Sequence, residues 1–366
     1  MFSFLPFVSF FFFFLLVFGS IISISSFHWL FVWVGLEVNL MGFIPVLVYS
    51  GKRLMAESGV KYFLVQALGS SLFAGGSCIV FGNLSGLDLA YGWVDFSLLN
   101  GVELVGFFLL LMSLFMKLGC FPFYSWVPSV CVGCSWFSCF FLLTWQKLAP
   151  FFVLFSVSGF YGSMVFWIVG ILGGLSSFVG GVGGMGETCI RCLLGYSSVG
   201  HSGWMVYSGM LGFSTFFCYY SVYFVVSICL FCVLGILGSK GMGHFNSFFK
   251  DKEFVMGLGF MSVLLSLGGV PPMLGFFGKM IVIFNGMLVS NFLFISLLIF
   301  GSLLSLYYYL VLFFGVFFSS KSLVLSYKDF YSLGNNGSLG LYVGVFIVSL
   351  IVVINLFGVV FCFFVF

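Results

Sequence analysis

Along this chain predominantly apolar stretches of about twenty residues recur, the length that carries a helix across a bilayer core, with clusters of glycine and polar residues between them. The stretches show neither the alternation of a half-buried strand nor the narrow stripe of a soluble amphipathic helix. They predict spans at 2–24, 26–49, 60–82, 102–120, 134–157, 161–185, 188–210, 214–238, 254–289, 291–318 and 340–366. The expectation is an all-α polytopic membrane protein, a single membrane domain over 1–366 with about 11 transmembrane helices. The ninth stretch is too long for one straight helix. It contains GGVPP at 268–272, where Pro271 and Pro272 remove backbone donors, so two half-helices with a break in the membrane are expected. A second break is expected near Pro150, and the stretch GCFPFYSWVPSV (119–130) is expected to be non-helical. The first stretch lacks a basic leader and a small-residue cleavage site, and reads as a mature helix.

Composition confirms the solvent. Of 366 residues 62% are hydrophobic and 6% charged, against about 25% charged in an average soluble domain. Such a chain cannot cover a soluble surface, and the same figures exclude disorder and secreted disulfide scaffolds. The net charge of +3 is small and dispersed, which argues against nucleic acid as a partner. Most of the 11 cysteines lie in apolar stretches, where a thiol is a small hydrophobe. The CxxC pairs Cys131/Cys134, Cys189/Cys192 and Cys229/Cys232 fall on different spans, which argues against a metal site. GVGGMG (181–186) fits a dinucleotide fingerprint only as a string, since no strand precedes it. Gly173, Gly174, Gly180, Gly181 and Gly184 instead predict close helix packing.

The loop charges set a sidedness. If spans alternate, Lys52, Arg53, Lys61, Lys240, Lys250, Lys252, Lys321 and Lys328 share the side of the N-terminus, and Asp88, Asp95 and Glu103 fall opposite. The positive-inside rule then puts the N-terminus in the negative compartment and the C-terminus across the membrane.

Six charges remain within or beside spans: Glu37, Lys117, Lys147, Glu187, Arg191 and Lys279. Each needs a partner, a wet cavity or a function, because a charge at a helix centre costs about 2.5–3.5 kcal/mol even on the lenient insertion scale. Glu187 and Arg191, four apart, predict a local pair. Glu37, Lys147 and Lys279 lie too deep for easy access to the interface, and Lys117 sits at a span end beside the irregular stretch. Burial disfavours the charged form of both lysine and glutamate, so such groups can exchange protons near neutral pH. His201, with Ser197 and Ser198 a turn before it, suits a relay, since imidazole can accept on one nitrogen and release from the other. His28 and His244 stand at span edges and are given no role.

Specific strings carry more than composition. HWLFVWVGLEVNLMGFIPVL (28–47), ESGVKYFLVQALGSSLF (57–73), KLGCFPFYSWVPSV (117–130), SWFSCFFLLTWQKLAPFF (135–152), GETCIRCLLGYSSVGHSGWM (186–205) and GGVPPMLGFFGKM (268–280) occur in order, and on them the chain resembles subunit 2 of NADH dehydrogenase, an antiporter-like subunit of respiratory complex I. The resemblance covers about residues 25–315. It implies a core membrane-arm subunit of a proton-pumping NADH:ubiquinone oxidoreductase in the mitochondrial inner membrane, with a matrix N-terminus and a C-terminus in the intermembrane space. The family's functional glutamate falls on Glu37, its lysines on Lys117, Lys147 and Lys279, and its histidine on His201. It also implies neighbouring antiporter-like subunit 4 and small subunit 4L as partners, with accessory subunits and lipids. No quinone, flavin or iron–sulfur motif is present, so NADH, FMN, iron–sulfur clusters and ubiquinone belong to the rest of the complex. Tyr124 stands where the family commonly has histidine and Ser129 where it has an acid, which puts a proton access route through that stretch in doubt. Gly278 and Met280 replace the usual proline and tryptophan around Lys279, predicting a looser half-helix. The expected mechanism is a switchable Glu37–Lys117 ion pair whose separation sends a proton through Lys147 and His201 toward Lys279. A stand-alone cation/proton antiporter and a purely structural subunit are the competing readings.

Overall fold

The computed structural model describes residues 5–49, 51–83, 101–159, 162–237, 254–289 and 291–321, with 352, 353 and 355. The expected last span, 340–366, and the loops bearing Asp88, Asp95, Lys240, His244, Lys250, Lys252 and Lys328 lie outside these residues apart from those three positions. The secondary structure described is helical throughout: α1 (Leu5–Ser25), α2 (Trp29–Val48), α3 (Arg53–Asn83), α4 (Gly101–Leu118), α5 (Trp126–Gly133), α6 (Trp136–Leu143), α7 (Trp145–Gly159), α8 (Gly162–Met185), α9 (Ile190–Leu211), α10 (Phe213–Leu237), α11 (Phe254–Gly268), α12 (Leu274–Leu288) and α13 (Phe292–Lys321). Seven stretches among the described residues are long and apolar enough to cross a membrane, α6 and α7 counting as one, and three shorter apolar helices accompany them. The 31 residues of α3 extend about 46 Å at 1.5 Å per residue, well beyond a hydrocarbon core of about 30 Å. Its first turns therefore project, with Arg53 and Glu57 paired at 3.4 Å on the surface. The loop expected there is helical from Arg53 onward.

The ninth predicted span is broken where expected. Gly269, at φ +77, ends α11. The amides of Gly269 and Val270 both return to the Leu265 carbonyl, at 3.0 and 3.2 Å. This is a left-handed helix stop that glycine adopts without steric penalty. The end of α4 repeats it: Gly119 sits at φ +67, and the Cys120 amide returns to Phe115 O at 3.1 Å. The irregular stretch after α4 is shorter than expected, because Trp126–Gly133 forms α5.

Pro150 does not break its helix. It lies inside α7, and the interruption falls six residues earlier at Thr144, which has φ −114 and ψ −76. Proline cannot donate to the carbonyl four residues before it and crowds that turn, so the helix yields upstream. The Thr144 hydroxyl bonds back to Phe140 O at 2.6 Å, a contact that bends helices. The hydroxyls of Tyr220 and Tyr223 on α10 donate to the carbonyls of Thr144 and Leu143 at 3.4 Å each.

The glycines of α8 pack as expected. A Cβ at Gly180 would stand 2.5 Å from the Gly200 amide nitrogen of α9, and one at Gly181 would stand 2.7 Å from the Gly301 carbonyl of α13. Helix α9 is thus enclosed by α8, α5 and α10, which places His201 in the interior. Arg191 does not pair with Glu187. Helix α9 begins at Ile190, so Glu187 lies outside it and the four-residue helical spacing does not apply. The Arg191 guanidinium instead lies 4.6 Å from the Trp136 ring centroid and donates to Val132 O at 3.3 Å.

Candidate functional site

The three deep lysines come from three different helices: Lys117 at the end of α4, Lys147 just past the Thr144 interruption in α7, and Lys279 in α12. All are buried, at 5%, 3% and 7% exposure. The sequence packs each beside an irregularity in a helix, where backbone carbonyls or side-chain polar groups are available.

Lys147 Nζ donates to the carbonyl of Ser198 on α9 at 2.9 Å. That contact brings it one turn from His201, which lies within electrostatic reach of both Lys147 and Lys279. His201 Nδ1 is 2.9 Å from the Tyr219 hydroxyl on α10, and the ring centroid of Tyr223 lies 5.0 Å away. Lys279 Nζ donates to Gly268 O at 2.7 Å and reaches Leu267 O at 3.5 Å. It thereby occupies the C-terminal end of α11, where the helix dipole favours a cation. Its ammonium is also 6.0 Å from the Trp204 ring centroid.

Lys117 differs. Its stem lies along α3, where a Cβ at Gly69 would come within 3.2 Å of Lys117 Cγ. Lys117 lines a small cavity with Asn39, Tyr62, Gln66, Gln146 and Pro150. Glu37, half-buried on α2, acts on Lys117 electrostatically. No direct ion pair joins the two among the described residues.

Of the five residues singled out in the sequence, Lys147, His201 and Lys279 therefore share one interior region, and Glu37 and Lys117 form a second group beside it. Helix α12 runs continuously through Gly278 and Met280, and Gly278 is buried against α10. Ser129 is exposed, with its hydroxyl committed to Trp126 O at 2.9 Å. Charge alone does not reveal Asn39, Tyr62, Gln66, Gln146 or Tyr219. Uncharged amides at mid-span are the available signal, because an unpaired buried amide is itself costly.

The NADH:quinone oxidoreductase/Mrp antiporter transmembrane family matches residues 26–305. NADH-ubiquinone oxidoreductase chain 2 of Anopheles gambiae is 32% identical over 329 residues, 88% of each chain, and that of Patiria pectinifera is 34% identical over 298 residues, 80% of this chain and 79% of its own. The chain belongs to the NADH-ubiquinone oxidoreductase chain 2 family. It is an antiporter-like, multi-pass membrane-arm subunit of respiratory complex I, and so part of an oxidoreductase complex. The chain 2 fold extends further. A chain of Thermus thermophilus respiratory complex I with bound aureothin matches at TM-score 0.73 and 24% identity, covering 93% of this chain and 75% of that one. A chain of the membrane-bound sulfane sulfur reductase, an archaeal respiratory membrane complex, matches at 0.80 and 19% identity, covering 96% and 73%.

Proposed function

We propose that this chain translocates protons along Glu37, Lys117, Lys147, His201 and Lys279, driven by electron transfer elsewhere in complex I. The observation that carries the reading is that Lys147 Nζ holds the Ser198 carbonyl one turn before His201 on α9 while Lys279 Nζ lies 6.0 Å from the ring of Trp204 one turn after it, each ammonium held on a backbone carbonyl and shielded from solvent. Burying an ammonium with only neutral carbonyls to answer its charge costs several kcal/mol, a cost that stability alone does not favour. Glu37 and Lys117 are the input. When the acid is near, it favours the ammonium; when a signal from quinone reduction separates them, Lys117 passes its proton on. Moving one charge against the membrane potential takes about 2.3 kcal/mol per 100 mV, a size that a change in one charge pair across a poorly screened gap can supply.

The same reading puts the chain in the mitochondrial inner membrane beside subunits 4 and 4L, with its N-terminus in the matrix, a sidedness supported by the cation bias of its loops. Lys147→Ala in the assembled complex tests the path. NADH oxidation should persist with fewer protons moved per electron, and an unchanged ratio refutes the path.

A further inference from the structure

Two of the deep lysines rest on backbone carbonyls, whereas no hydrogen bond from Lys117 Nζ to another residue forms among the described residues. Lys117 is 5% exposed, and it lines a small polar cavity of about 10 Å³. That is the lower limit of the space one water needs. The cavity wall is built from a directed chain of side chains. The Tyr62 hydroxyl on α3 donates to Gln146 Oε1 at 3.2 Å, and Gln146 Nε2 donates to Asn39 Oδ1 at 3.1 Å. Gln66, one turn beyond Tyr62, donates to the backbone carbonyl of Lys117 at 3.4 Å.

The positions of these residues in the chain matter. Asn39 is two residues from Glu37, and Gln146 immediately precedes Lys147. Pro150 has no N–H to offer the Gln146 carbonyl four residues before it, so Gln146 sits in a locally weakened turn. We propose that Gln146 is a positioning residue for proton transfer. Clamped between Asn39 and Tyr62, it ties the helix of Glu37 to the helix of Lys147 and shapes a one-water site that receives the Lys117 ammonium. The amide does not itself pass a proton. It holds the distance between the Glu37–Lys117 input and Lys147, and it leaves the Tyr62 oxygen free to accept from a water at the ammonium. Removing the clamp on either side should have the same effect, because both ends act through Gln146.

The inference rests on the proton path proposed above, and the experiment separates the two. Complex I carrying Gln146→Leu, Asn39→Leu, both together, or Lys147→Ala is reconstituted into vesicles, and protons moved per electron are measured across pH. The clamp predicts a lowered ratio and a shifted pH profile in Gln146→Leu, the same change in Asn39→Leu, and no further loss in the double variant. A wild-type ratio and profile in assembled Gln146→Leu, or additive losses, overturns it. If Lys147→Ala lowers the ratio while Gln146→Leu does not, the clamp alone fails. If Lys147→Ala leaves it unchanged, the path fails. Should Gln146→Leu not assemble, Tyr62→Phe removes one end of the clamp by a single oxygen. It is expected to reproduce the shift, and a wild-type profile there overturns the clamp.

Discussion

Lys279 donates a 2.7 Å hydrogen bond to the carbonyl of Gly268, the last residue of α11. The lysine beyond the break is thus held by the helix end before it. The counter-charge for this ammonium is a row of backbone carbonyls at a helix C-terminus, and the seat depends on Gly269, since a Cβ there would stand 2.9 Å from both Lys279 Cδ and Nζ.

Gly269→Ala therefore strains the break twice. A side chain at φ +77 costs about 1–2 kcal/mol, and the methyl group displaces the lysine from its carbonyls. The expected result is assembled complex with a lower proton-to-electron ratio. A wild-type ratio would show that Lys279 does not need this seat.

Tyr219→Phe removes the 2.9 Å partner of His201 Nδ1 and leaves the ring stacked near Trp204. Leaving the buried Nδ1 without this partner costs about 1–3 kcal/mol of stability, too little to prevent assembly. Proton translocation should slow and its pH dependence should move, measured in reconstituted vesicles. An unchanged pH profile would remove Tyr219 from the account of His201.

Gly180→Val should act on assembly and not on coupling. Its Cβ would stand 2.5 Å from the Gly200 nitrogen, and backbone cannot yield as a side-chain tip does. The amount of assembled complex should fall sharply, read by native electrophoresis. Gly101→Ala, where nothing among the described residues lies within 4 Å, should leave that amount at the wild-type level.

The charged residues were legible because a lysine in an apolar stretch stands out against its neighbours, and Pro271–Pro272 marks a break that no helix can run through. Thr144 was not, since threonine is an ordinary helix residue. Its role depends on Pro150 six positions later and on the hydroxyls of Tyr220 and Tyr223 from another helix. The Glu187–Arg191 spacing misled for a related reason: four residues make a pair only if both lie in one helix, and α9 starts after Glu187. Asn39, Tyr62 and Gln146 carry no charge, so their convergence on Lys117 emerges only when α2, α3 and α7 are packed together.

The central claim is that the buried lysines act in series. The direct test measures protons moved per electron, at matched rates of NADH oxidation, in complexes carrying Lys117→Ala, Lys147→Ala, Lys279→Ala and each pair of these. A single path predicts the same loss in every variant, with pairs no worse than single substitutions. Unequal or additive losses, or a wild-type ratio in any one, would contradict it.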